Sequence, residues 1–190
     1  MMLPFTKALR KANQGRIRMD ATVDRAFKKL EANLEELTKL YRALLDVVRK
    51  EKEILIRADR SALDENNFLK EDLLFKLRAQ DSLRSRYAMD LAALVGAEVD
   101  NPRLLELAQK LAGSSAADRL RNQHAALDIL IRRITAINKE NEEYVSSALS
   151  TLSGAIDDIK DSLTGKKTYG EKGKYKAGSQ AAGHFVSKEV

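Results

Sequence analysis

The sequence predicts an all-α protein: an extended antiparallel helical bundle built on a coiled-coil-like hairpin, with a third long helix and a disordered C-terminal tail. Three observations carry this. From Arg16 to Val95 there is neither glycine nor proline, and eighty residues without a breaker, in a chain this apolar, are not mostly loop. Apolar residues recur in alternating steps of four and three, the spacing that keeps side chains on one helix face. The composition, with 33% charged residues, 5% aromatic residues and no Trp, is that of long amphipathic helices.

The first long helix starts where Asp20 or Thr22 can cap it, a side-chain oxygen accepting from free backbone N–H groups. Its seam runs Val23, Phe27, Leu30, Leu34, Leu37, Tyr41, Leu44, Val48, Glu51, Leu55, and Glu51 is its single charge. A turn at Ala58-Asp59-Arg60-Ser61 follows, with Asp59 or Ser61 as the next cap. The second helix, residues 62–95, carries Leu69, Leu73, Leu77, Leu83, Tyr87, Leu91 and Leu94, interrupted by Asn66, Gln80 and Asp81, and Gly96 ends it. Asn101-Pro102 reads as the start of a short helix reaching Ala112, since proline at the first helical position loses no hydrogen bond. After Gly113, Ser114 or Ser115 opens a third long helix that reaches Leu163. Its seam is Leu120, His124, Leu127, Ile131, Ile134, Asn138, Asn141, Val145, Ala148, Leu152, Ala155, Ile159.

At 1.5 Å per residue the first two helices span roughly 54 and 51 Å, matched as a hairpin requires, while the third spans roughly 75 Å. If it packs along the hairpin from its own start, its last turns overhang by roughly 20 Å. Val145, Leu149, Leu152, Ile156 and Ile159 then have nothing to pack on. From Gly165 onward five of the nine glycines fall in 26 residues with almost no apolar periodicity, as in a disordered segment. Three regions result: a basic N-terminal extension over 1–18, a helical bundle domain over 19–164 and a flexible basic tail over 165–190.

The net charge of +6 is uneven. Residues 1–18 hold Lys7, Arg10, Lys11, Arg16 and Arg18 and no acid, and residues 165–190 hold six lysines against Glu171 and Glu189, which leaves −3 for residues 19–164. Basic ends on a slightly acidic body do not make a nucleic-acid-binding face, so no nucleic-acid partner is expected. No stretch of 18 apolar residues and no continuous apolar leader occurs, so no membrane insertion is expected and the expected location is cytoplasmic. Cysteine is absent, which excludes disulfides and thiolate metal sites.

No catalytic constellation is legible. The acidic pairs Glu35-Glu36, Glu142-Glu143 and Asp157-Asp158 read as solvated helix faces, and His124 and His184 stand too far apart to suggest a metal site. No catalytic residue, no metal site and no cofactor is expected. Asn138 and Asn141 allow two readings: a polar layer that fixes register at some cost in stability, which the physics of buried amides favours, or a hydrogen-bonding platform for another chain. The stripe from Val145 to Leu163 allows three: cover by the N-terminal segment, cover in a homodimer, or a docking surface for the amphipathic helix of a client. Tyr169, in Tyr-Gly-x-x-Gly between lysines, is either an aromatic anchor or part of a solubilising extension.

The stretch ITAINKENEEYVSSALSTLSGAI, with TYGEKG after it, resembles the C-terminal half of FlgN-type flagellar export chaperones, which end in a long helix with Asn-x-x-Asn and then a Tyr-Gly-x-x-Gly loop. Asn138, Asn141, Tyr169, Gly170 and Gly173 match that pattern in order and spacing. LLDVVRKEKEILIRADRSALDENNFLKEDLLFKL is similar to the family's first hairpin, with Ala58-Asp59 and Leu63 at the turn. The resemblance spans residues 25–175, and leaves the basic extension and the lysine-rich end of the tail outside it. It implies a non-enzymatic, cytoplasmic chaperone of type III flagellar export. Such a chaperone binds C-terminal helical regions of hook-associated proteins of the hook–filament junction and hands them to an export-gate component. The family's client-binding region is the C-terminal helix, which implicates Asn138, Asn141, Val145, Leu149, Leu152, Ile156 and Ile159. Its loop tyrosine is linked to gate docking, which implicates Tyr169 with Gly170 and Gly173. From the residues alone, a self-associating structural coiled coil without a client, or a nucleic-acid binder using the basic ends, stay open as other classes.

Overall fold

The computed structural model describes residues 20–164; the basic extension and the tail, with Tyr169, Gly170 and Gly173, lie outside the described residues. Four helices and no strand occur in that span: α1 (Ala21–Arg57), α2 (Arg60–Val95), α3 (Leu104–Lys110) and α4 (Ser115–Leu163). By internal contact the chain divides after Asn141, inside α4.

In the first unit α1 and α2 form the antiparallel hairpin. The α1–α2 hydrogen bonds pair Asn33 with Gln80 and Asn66 with Val47, so one number rises as the other falls. Contacts from α4 to α1 keep a nearly constant offset instead, Arg119 to Glu31 and Asn141 to Val48, which makes those two helices parallel. The core is the 4-3 seam of α1 against the inner faces of α2, α3 and α4: Phe27, Leu30, Leu34, Leu91, Leu107 and Leu120 are wholly buried. Arg119 also lies over the Phe27 ring, 4.8 Å from its centroid, covering the aromatic edge of this core with its guanidinium.

Several sequence expectations shift. Leu69 and Leu94, expected on the inner stripe of α2, are 48% and 45% exposed. The buried positions there include Asn66, Ala88 and Ala92, where an amide with a partner and two small side chains permit close approach. Ile131 is also exposed. The short helix begins at Leu104, not Pro102: Arg103 is extended, and Asn101 does not cap. Pro102 is itself buried and anchors the loop. Ile54, off the seam, is buried at the hairpin turn, outside the main cluster.

The turn explains itself in hydrogen bonds. Ala58 N–H donates to the Leu55 carbonyl and Asp59 N–H to the Ile54 carbonyl, a Schellman ending. Asp59 then caps α2 by accepting from the Ala62 N–H at 3.0 Å. This ending demands a left-handed residue, and Ala58 supplies it at φ 52°. An L-residue with a Cβ pays for that conformation, and glycine does not. Ala58→Gly is therefore expected to stabilise the hairpin by about 1 kcal/mol, read as a rise in melting temperature; a fall would show that the turn gains more from chain stiffness than it loses to strain.

Candidate functional site

Two features stand on the residues the sequence singles out. The first is a polar layer in the bundle unit. Asn141 is 4% exposed. Its Nδ2 donates to the Val48 carbonyl at 3.2 Å and to Glu51 Oε2 at 3.4 Å. The same Glu51 oxygen accepts from Lys70 Nζ at 2.7 Å, and Asn66 Nδ2 donates to the Val47 carbonyl at 3.3 Å. One carboxylate thus links α1 to α2 and to α4, and it is shielded enough that its attraction to lysine is less screened than at a surface. Just outside it Lys52 and Glu140 form an exposed pair at 2.6 Å. Asn138 is half-buried one turn earlier on α4.

Asn141 is therefore held by the bundle, in the geometry of a register-setting layer. The Oδ1 atoms of Asn66 and Asn141 are buried without a partner among the described residues, so the layer carries a desolvation cost. Replacing Asn138 and Asn141 together by Leu is expected to stabilise the bundle by about 1–3 kcal/mol and to blur its assembly state. Thermal melts beside sedimentation would check both; a lower melting temperature would mean that the bonds to Val48 and Glu51 outweigh their desolvation.

The sequence held a sign of these partners that single-helix reading passes over. Glu51 and Asn66 are interruptions in two apolar stripes, and antiparallel pairing brings them within about one helical turn of each other. Gln80, another interruption in the α2 stripe, meets Asn33 beside the α1 seam, with Asn33 Nδ2 donating to Gln80 Oε1 at 2.7 Å.

The second feature is the stretch of α4 after Asn141. Every residue from Glu142 to Thr164 is exposed. Val145, Leu149, Leu152, Ile156, Ile159 and Leu163 follow in steps of four and three, so they share one face, and they are from 36% to 82% exposed. Gly154 falls on the opposite face and leaves no notch in the stripe. Asp157, Asp158 and Asp161 also lie off the stripe, and Ala148 and Ala155 border it. The result is a smooth apolar strip with serine and acid behind it. Its side chains are apolar, so what it offers is surface for burial.

A cleft of about 480 Å³ lies between α1, α2, α4 and the loop before α3, floored by Leu37, Leu104 and Leu127. Two of its charged groups answer each other. Asp81 and Arg84 pair at 2.7 Å. Burial pushes the Tyr41 phenol up, the Asp81 charge pushes it further and Arg84 opposes them, so Tyr41 stays protonated at neutral pH. His124 lines the cleft. No group of three or more His, Cys, Asp or Glu side chains among the described residues is placed to hold a metal ion, and no described helix is long and apolar enough to cross a membrane.

The model of the family described as FlgN protein matches residues 19–177. The match takes in the whole helical region and continues past Tyr169, Gly170 and Gly173. No curated protein and no solved structure matches the chain.

Proposed function

The chain belongs to the FlgN family of flagellar export chaperones, and from that premise we propose that it acts in the cytoplasm on the type III pathway. In this reading it binds the C-terminal helical regions of hook-associated proteins, keeps them from associating early and delivers them to the export gate. It works by binding and catalyses no reaction.

One observation carries the reading: Val145, Leu149, Leu152, Ile156 and Ile159 form a single open apolar face on α4. A helix stripe of this length in water is a cost unless something covers it, and an amphipathic client helix covers it in kind. Asn138 and Asn141 belong to the bundle unit, where Asn141 is bonded to Val48 and Glu51. In this reading the C-terminal helical regions of the junction proteins supply the matching apolar stripe.

The direct test is calorimetric titration of the full chain with the C-terminal helical region of each hook-associated protein. Saturable binding to at least one is expected, with a negative heat-capacity change from apolar burial. Absence of binding to all of them would overturn the reading. A client-free structural coiled coil predicts instead a self-associated species that depends on the stripe and is unaffected by any junction protein.

Gate docking is assigned to Tyr169, with Gly170 and Gly173 of the same Tyr-Gly-x-x-Gly motif. Tyr169→Ala is expected to leave melting and client affinity unchanged and to lower export of the client several-fold, since one aromatic anchor often dominates a weak contact. Export yield in cells beside calorimetry in vitro separates the two roles. Loss of client affinity in this variant would place the tyrosine in the client site.

A further inference from the structure

α2 has an apolar face that the core does not use. Its inner face is that of Asn66, Leu77, Ala88 and Leu91. Phe68 and Phe75, seven residues apart and so within about 20° of each other around the helix, lie on the opposite side and are 72% and 73% exposed. Leu69 and Leu74 flank them and are also exposed. Scattered single apolar residues on a surface are ordinary, but paired phenylalanines this open on one face are not.

The spacing around them is nearly palindromic. Counting outward from the point between Glu71 and Asp72, Leu69 answers Leu74 and Phe68 answers Phe75. A two-fold axis beside that point, perpendicular to the helix, sets Phe68 on the partner's Phe75, while Leu69 and Leu74, on opposite flanks of the helix, border the contact. The charges agree. Asp64 precedes Phe68 by about one turn and Arg78 follows Phe75 by about one turn, on the same flank of the helix. A two-fold of this kind preserves the flank, so Asp64 meets the partner's Arg78, twice per pair. Neither residue is ion-paired among the described residues.

We propose that this outward face of α2 is a self-association surface, on which the chain pairs antiparallel with a second copy of itself. Four phenylalanines, at about 150 Å² each, bury about 600 Å² in all, below the range of stable specific interfaces. The pairing is therefore weak and reversible. Glu71 lies beside the axis and meets its own copy, a like-charge contact that holds the affinity down. The surface contains none of the α4 stripe residues, so this inference stands or falls apart from the client reading.

The experiment is sedimentation velocity of the full chain up to several hundred micromolar. A monomer–dimer equilibrium is expected. Phe68→Ser with Phe75→Ser should abolish it with unchanged helicity and melting, since both side chains are outside the core. Asp64→Arg and Arg78→Asp should each weaken it about tenfold, and together restore it. Glu71→Gln should tighten it. A wild-type chain that stays monomeric throughout overturns the proposal. So does a dimer that survives the serine pair, or one dissolved by Asp at Leu152 and Ile156 instead, which would place the interface on the stripe. Loss of client binding in the serine pair, with no dimer in the wild type, would assign the face to a client and equally overturn it.

Discussion

Leu152→Asp combined with Ile156→Asp is expected to abolish client binding while the bundle melts as in the wild type. The two side chains are a helical turn apart on the open face of α4, 58% and 43% exposed. A client helix covering them gains about 1.5–3 kcal/mol from each. With Asp, that gain is lost and two carboxylates are pressed against an apolar partner, each free to escape only by breaking the interface. The affinity should fall at least about a hundredfold. Stability of the bundle should hold, because neither residue is buried, and the helical cost of two Asp is only about 1 kcal/mol. Ser147→Asp, on the other side of the same helix, is the control that should bind normally. Calorimetry of the paired variant against a hook-associated protein, with circular dichroism melts alongside, reads both halves. Normal binding by the paired Asp variant would remove the stripe as the docking surface.

The parts of this molecule that were legible in its sequence are those where one physical pattern acts alone. The seam of α1 was legible because every 4-3 step from Phe27 to Val48 meets an apolar neighbour; most of those positions are buried, and Tyr41 is half-buried. The stripe on α4 was legible for the same reason, and only its use was undetermined. α2 was harder. Leucine and phenylalanine occur all around it, so hydrophobicity does not say which side faces in. Register decides, and register comes from partners. Leu69 looks like core by spacing and is half-exposed, while Asn66 looks like a defect and is 1% exposed with its amide bonded to Val47. The polar layer shows the same limit. Asn141 was visible as an asparagine on a seam, but its partners Glu51 and Lys70 belong to two other helices, and only the pairing of all three brings them together. Asn101-Pro102 failed differently: the local signal for a helix start is sound, yet Pro102 is used to bury the loop and Arg103 stays extended, so the helix begins later.

Leu34→Asp should have the largest effect on the fold. Leu34 is wholly buried in the α1 seam, within the cluster that also contains Leu30, Leu91 and Leu120. Leu37, one turn on, is nearly as buried but lines the cleft beside Tyr41, so a carboxylate there has a route to solvent. At Leu34 it has none. Losing the side chain costs about 2–5 kcal/mol as a cavity, and burying an unpaired carboxylate, or protonating it to avoid that, costs several more. The sum rivals the about 5–15 kcal/mol that holds a domain of this kind together. The variant is expected to lose cooperative thermal unfolding, with helicity that declines gradually on heating. Leu34→Ala, which leaves a cavity and no charge, should still unfold cooperatively at a lower temperature, and it keeps the test readable if the Asp variant cannot be purified. Leu149→Asp, an equal change of charge on an exposed position of α4, should melt with the wild type. If Leu34→Asp also melts with the wild type, the α1 seam is not what holds the three helices together, and the core lies elsewhere.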